Sequence, residues 1–129
     1  MPKLIHSMIR VLDLERSLAF YTRALGMAES HRLDFPTFTL VYLREPESGF
    51  EIELTLNKGQ AEPYTHGSGY GHVAFCTDDL ETQRAQLLRM GYAAGEIKSL
   101  PGPAMARFFF TTDPDGYKIE ILEKAGHYV

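Results

Sequence analysis

Apolar residues along this chain fall into short stretches broken by polar turns, and the same succession of stretches occurs twice. Residues 4–11 carry Leu4, Ile5, Met8, Ile9 and Val11 with no turn former among them, which predicts a strand. From 12 to 25 the period lengthens. Leu14, Leu18, Tyr21 and Leu25 recur at helical spacing, Asp13 stands where an N-cap belongs, and Gly26 stands where a helix stops. Residues 27–33, 37–43 and 50–56 predict three further strands, the last two separated by the polar turn 44–49. The second half repeats the order: a strand at 71–77, a helix at 80–90 stopped by Gly91, and strands near 92–98, 106–112 and 117–123.

Local words repeat with the pattern. Asp13-Leu14-Glu15 and Leu25-Gly26-Met27 are answered by Asp79-Leu80-Glu81 and Met90-Gly91-Tyr92. The stretch between the halves, 57–69, is polar and carries Gly59, Pro63, Gly67 and Gly69, as a connection does. Each half is too small to be comfortable alone, whereas 129 residues suit one ordinary domain. The expected fold is therefore α+β: a single domain over 1–129 with an internal repeat of roughly 1–58 and 69–129, two tandem βαβββ modules forming curved mixed sheets.

Four polar residues interrupt the apolar strands, and they too come in two pairs. His6 is followed 47 positions later by Glu53, and His72 is followed 48 positions later by Glu120. Side chains alternate along a strand, so His6, Met8 and Arg10 share one face, as do Glu51, Glu53, Thr55 and Asn57. His72, Ala74 and Cys76 share a face in the second half, and so do Lys118, Glu120 and Leu122. The opposite faces are almost wholly apolar and are expected to meet the helices, which leaves the His/Glu faces to line a concavity. A solvated sheet face would also place polar residues at alternate positions. The return of the same residue types in the repeat favours metal ligands, because neutral imidazole and ionised carboxylate together suit a divalent cation. Four protein ligands leave positions open for a substrate.

Composition narrows the partners. A formal net charge of -4 with scattered Lys and Arg provides no basic stripe for nucleic acid. The content of 44% hydrophobic residues argues for a packed fold rather than disorder. One cysteine, Cys76, cannot form an intrachain disulfide, and no apolar run reaches the length of a signal peptide core or a membrane span. The expected setting is the cytoplasm, without membrane or nucleic acid.

With these residues in view, the chain resembles the glyoxalase I (lactoylglutathione lyase) family of the vicinal oxygen chelate superfamily. The stretches that carry the resemblance are 6–11, 17–22, 25–27, 52–55, Asn57, 70–74 and 113–120, which span nearly the whole chain. It implies an enzyme, a carbon–sulfur lyase that isomerises the hemithioacetal of methylglyoxal and glutathione to S-lactoylglutathione through an enediolate, so detoxifying methylglyoxal. It further implies that His6, Glu53, His72 and Glu120 bind one metal, nickel being favoured by the compact length and cobalt or zinc being possible. The halves of each site would come from different subunits of a homodimer. Glu120 is implied as the base, with Glu53 as a ligand or a base on the opposite side. Arg10, Asn57 and Lys98 are candidate substrate contacts, Arg10 because its planar fork suits a carboxylate. Two other readings remain open: a different metalloenzyme of the superfamily, an epimerase or thiol transferase, and a metal-free protein that binds a small ligand in the same fold.

The chain also departs from the family. Where many members have a Gly-Gly loop covering the substrate, this one reads Ser99-Leu100-Pro101-Gly102-Pro103-Ala104-Met105-Ala106-Arg107, stiffened by two prolines. Lys58 stands where a tryptophan commonly follows the asparagine. His31, His66 and His127 have no partner in the repeat and are expected to be solvated in loops or at the terminus. Cys76 is expected to be a small buried hydrophobe. Phe108, Phe109 and Phe110, like Phe20 and Tyr21, are expected to be packing residues.

Overall fold

A computed structural model describes residues 1–101 and 106–129. The chain divides into two compact units, Met1–Thr65 and His66–Val129. In the first, strand β1 (His6–Val11) leads into helix α1 (Leu14–Ala19), and strands β2 (Ala28–Asp34), β3 (Phe38–Arg44) and β4 (Glu51–Asn57) follow. The sheet order is β1-β4-β3-β2, with β1 parallel to β4 and the other pairings antiparallel. The second unit repeats this with β5 (Val73–Thr77), α2 (Leu80–Arg89), β6 (Lys98–Ser99), β7 (Arg107–Thr112) and β8 (Lys118–Glu123), in the order β5-β8-β7-β6. Again only β5 and β8 are parallel. Two mixed sheets with one helical arm each are the α+β architecture that the duplicated pattern predicts.

The helices start and stop where their punctuation lies. Asp13 accepts a hydrogen bond from the Arg16 amide at 3.0 Å, and Asp79 accepts one from the Thr82 amide at the same distance, satisfying donors that the first helical turn leaves open. Gly26 and Gly91 end the two arms at φ of 72° and 86°, a region that a side chain would resist. The first arm changes pitch on the way. Beyond Ala19 it continues as a π-helical segment, Phe20–Ala24, at the point where the Thr22 hydroxyl donates to the Leu18 carbonyl at 2.7 Å. A side chain bonded to that carbonyl competes with the backbone ladder and widens the turn. Phe20 and Tyr21 are fully buried there, as expected, and belong to the same apolar core as Val41, Leu43 and Leu54.

Three expectations fail in detail. Strand 92–98 is reduced to a single bridge, Ala94 to Thr111, and the two residues of β6, because Gly95 lies against the Phe110 backbone and offers no side chain to pack. β1 and β5 begin two residues later than predicted. Both are edge strands, so Leu4 and Ile5 are exposed, Val73 and Phe75 are only half-buried, and His72 immediately precedes its strand. Finally, Leu122 shares the side of Glu120 yet is buried, so that face of the second unit is less polar than face counting suggested.

The turn before β8 is held from inside. Asp113, almost fully buried, accepts from the amides of Asp115 and Tyr117, both at 2.9 Å. Asp113→Ala would remove both of these bonds from the buried turn, and a loss of about 2 kcal/mol is expected in urea unfolding.

Candidate metal centre and substrate face

Parallel pairing brings each histidine to its glutamate by the same geometry. In the first unit Met8 lies opposite Glu53 on the ladder, and His6 is two residues before Met8. In the second, Ala74 lies opposite Glu120, and His72 is two residues before Ala74. The offset sets imidazole and carboxylate side by side on one face. His6 Nε2 is 3.2 Å from Glu53 Oε2, and His72 Nε2 is 3.4 Å from Glu120 Oε1. Two ligands bound about 2.1 Å from one ion at right angles stand about 3 Å apart, so each pair presents its donor atoms at a spacing that adjacent coordination positions require. Among the described residues no cluster of three or more His, Cys, Asp or Glu side chains suited to a metal is found.

An aromatic ring completes each pair. Tyr42 of β3 lies opposite Glu53, and its ring stands edge-on to His6 with centroids 5.6 Å apart. Phe110 of β7 lies opposite Glu120, edge-on to His72 at 5.3 Å. Only the first has a hydroxyl. Tyr42 hydrogen-bonds Glu53, and this bond, reinforced by burial and by the charges of Glu53 and Glu51, pushes the phenol above the usual tyrosine range. The Thr55 hydroxyl also contacts Glu53 Oε1, at 3.4 Å. Nothing in the polar residues alone pointed to Tyr42; the signal was a mid-strand aromatic recurring in each half before the glutamate strand.

The other candidates divide between the units. Arg10 lies on β1, exposed and on the His6 side, and Asn57 ends β4 on the Glu53 side with its amide donating to the Tyr64 hydroxyl at 3.1 Å. Lys98 is on β6, opposite Phe108, which is in turn opposite Leu122. It shares the Glu120 side but sits at the far edge of the sheet, three strand spacings, or about 14 Å, from β5. Beside Phe110 an open recess of about 220 Å³, lined by Ala93, Phe110, Thr111, Thr112 and Lys118, is smaller than the roughly 300–1,000 Å³ of a ligand pocket. Lys58 binds the Asp34 carboxylate and the Phe35 carbonyl.

Residues set aside in the sequence fare differently. His31 lies in β2 rather than a loop, its ring 6.1 Å from Tyr42. His66 is stacked on Tyr117 at 4.1 Å with its Nε2 buried and without a hydrogen-bond partner, not solvated, because the aromatic stack holds it against the turn before β8. Cys76 is exposed rather than a buried hydrophobe, since it lies on the His72 side of the edge strand β5, where Ala74 is exposed as well. Phe109 is buried, and Phe108 and Phe110 are half-buried. Much of the proline-containing loop, 102–105, lies outside the described residues.

Residues 3–121 match the Glyoxalase/Bleomycin resistance protein/Dioxygenase superfamily, and the chain belongs to it. Within that class it stands beside the lactoylglutathione lyases. It is 40% identical to the lactoylglutathione lyase of Haemophilus influenzae, with 94% of this chain and 92% of that protein aligned. It is 37% identical to that of Salmonella typhimurium, over 94% and 92%. Among solved structures, the trypanothione-dependent glyoxalase I of Leishmania major superposes with a TM-score of 0.79 at 35% identity, covering 96% of this chain and 88% of that one.

Proposed function

We propose that this protein is a lactoylglutathione lyase that isomerises the hemithioacetal of methylglyoxal and glutathione to S-lactoylglutathione. The observation that carries this is the duplicated ladder offset, which places an imidazole nitrogen 3.2 or 3.4 Å from a carboxylate oxygen in each unit. His6, Glu53, His72 and Glu120 are the ligands of one divalent ion, nickel by preference, with one pair from each protomer of a homodimer. When bound, the ion stabilises the negative charge that develops on the substrate's two neighbouring oxygens.

The chain's own residues do the rest. Glu120 takes the proton from the carbon bearing sulfur and returns it to the adjacent carbon, while the hydroxyl proton passes from one oxygen to the next. Atoms and electrons balance without an outside oxidant or water. Arg10 offers a planar fork to a carboxylate of the thiol moiety, and Asn57 and Lys98 supply polar contacts farther along the same faces. No helix among the described residues is long and apolar enough to cross a membrane. The cytoplasm, where thiols stay reduced, is the proposed setting.

The test is a metal-activation series on chelator-stripped protein, with thioester absorbance as the readout. Nickel is expected to restore the highest turnover, followed by cobalt and zinc. Absence of turnover with every divalent metal would sink the reading.

A further inference from the structure

The two His/Glu pairs match in offset, and their carboxylates are almost equally buried, with side chains 13% exposed for Glu53 and 14% for Glu120. What differs is the set of groups around each carboxylate. The aromatic ring opposite Glu53 belongs to Tyr42 and donates a hydroxyl; the ring opposite Glu120 belongs to Phe110 and has none. Two residues beyond Glu53 is Thr55, which contacts Oε1, whereas two residues beyond Glu120 is the buried Leu122. At 3.4 Å the Thr55 contact is long for a hydroxyl hydrogen bond, and Tyr42 stands directly opposite Glu53 on the ladder, placed to tether it.

The atoms are suitably divided. Glu53 turns Oε2 toward His6, leaving Oε1 to the Thr55 hydroxyl. A ligating carboxylate held in this way by an outer hydrogen bond keeps its orientation, whereas a proton carrier must turn between two carbon atoms. We propose that Tyr42 is a positioning residue whose hydroxyl fixes Glu53 as the permanent metal ligand, and that the missing hydroxyl at Phe110 leaves Glu120 able to move as the base. This rests on the metal-site reading above. It assigns the unequal roles of two glutamates in matching places to one oxygen atom on the neighbouring strand.

The experiment exchanges that atom between the halves. Wild type, Tyr42→Phe and Phe110→Tyr are each loaded with nickel and compared for metal retention against EDTA, for kcat and KM, and for the thermal midpoint of the metal-free protein. Tyr42→Phe is expected to weaken nickel retention about tenfold, the scale of lost outer-shell support, with little change in the metal-free midpoint. Phe110→Tyr is expected to hold nickel at least as well as wild type but to lower kcat about tenfold at unchanged KM, because it restrains the moving carboxylate. Unchanged nickel retention in Tyr42→Phe, or unchanged kcat in Phe110→Tyr, overturns the proposal. If Tyr42→Phe lowers the metal-free midpoint substantially, Phe110→Tyr decides alone. Wild type that retains no nickel and forms no thioester overturns the metal-site reading itself, and this inference with it; wild type that does both, beside unresponsive variants, overturns this inference only.

Discussion

Replacing Glu120 with glutamine is expected to lower kcat by about 10²- to 10⁴-fold, the range a positioned general base contributes. Glutamine keeps the shape and one oxygen of the side chain but cannot accept the carbon-bound proton. Glu120 lies on β8 between β5 and β7, and its side chain faces His72 Nε2 at 3.4 Å, a contact that the glutamine amide oxygen can keep. The thermal midpoint should barely change. Nickel retention measured on the same sample separates loss of the base from loss of a ligand: retention close to wild type with collapsed kcat identifies a base, and parallel loss of both identifies a ligand alone. The matching Glu53→Gln variant should lose retention first, since its carboxylate is the tethered one.

Mixing these two inactive variants is expected to restore activity. Glu53→Gln damages only the first unit of its chain, and Glu120→Gln only the second. If each site takes one unit from each protomer, a mixed dimer has one site with both lesions and one with neither. Random reassortment makes half the dimers mixed, so activity should return to about a quarter of wild type per total protein, as closed two-fold symmetry dictates. Sites contained within a single chain would carry one lesion each and recover nothing. Denaturation and joint refolding of the two variants, followed by the thioester assay, distinguishes the outcomes.

Much of the scaffold was legible in the sequence because its determinants are local. Asp13 and Asp79 cap, Gly26 and Gly91 stop, and alternating residues such as Ile52, Leu54, Ile119 and Ile121 mark buried strand faces. What misled was tertiary. The 92–98 segment has apolar residues but lacks continuous strand pairing around Gly95, and nothing local shows that β1 and β5 are edges that release their first residues. The proximity of His6 to Glu53 and of His72 to Glu120 was suggested by repetition of type, yet their shared offset exists only in the ladder register. Tyr42 was missed for the same reason. Its importance lies in what stands opposite it on β4, and a tyrosine inside an apolar strand looks like any other packing residue.

The ladder register has a consequence for the order of events in folding. The strands β2, β3 and β4 can zip through short antiparallel connections, but β1 reaches β4 only by joining residues 45 positions apart, such as Met8 and Glu53, and β5 reaches β8 by joining residues 46 apart, such as Ala74 and Glu120. Parallel closure over such spans pays its entropy before its contacts form, so it belongs to the slow part of assembly. A one-residue slip in either ladder would turn the carboxylate to the opposite face. Metal capture during refolding would therefore report the last parallel strand seated in its correct register, and its rate would time that event without any label on the protein.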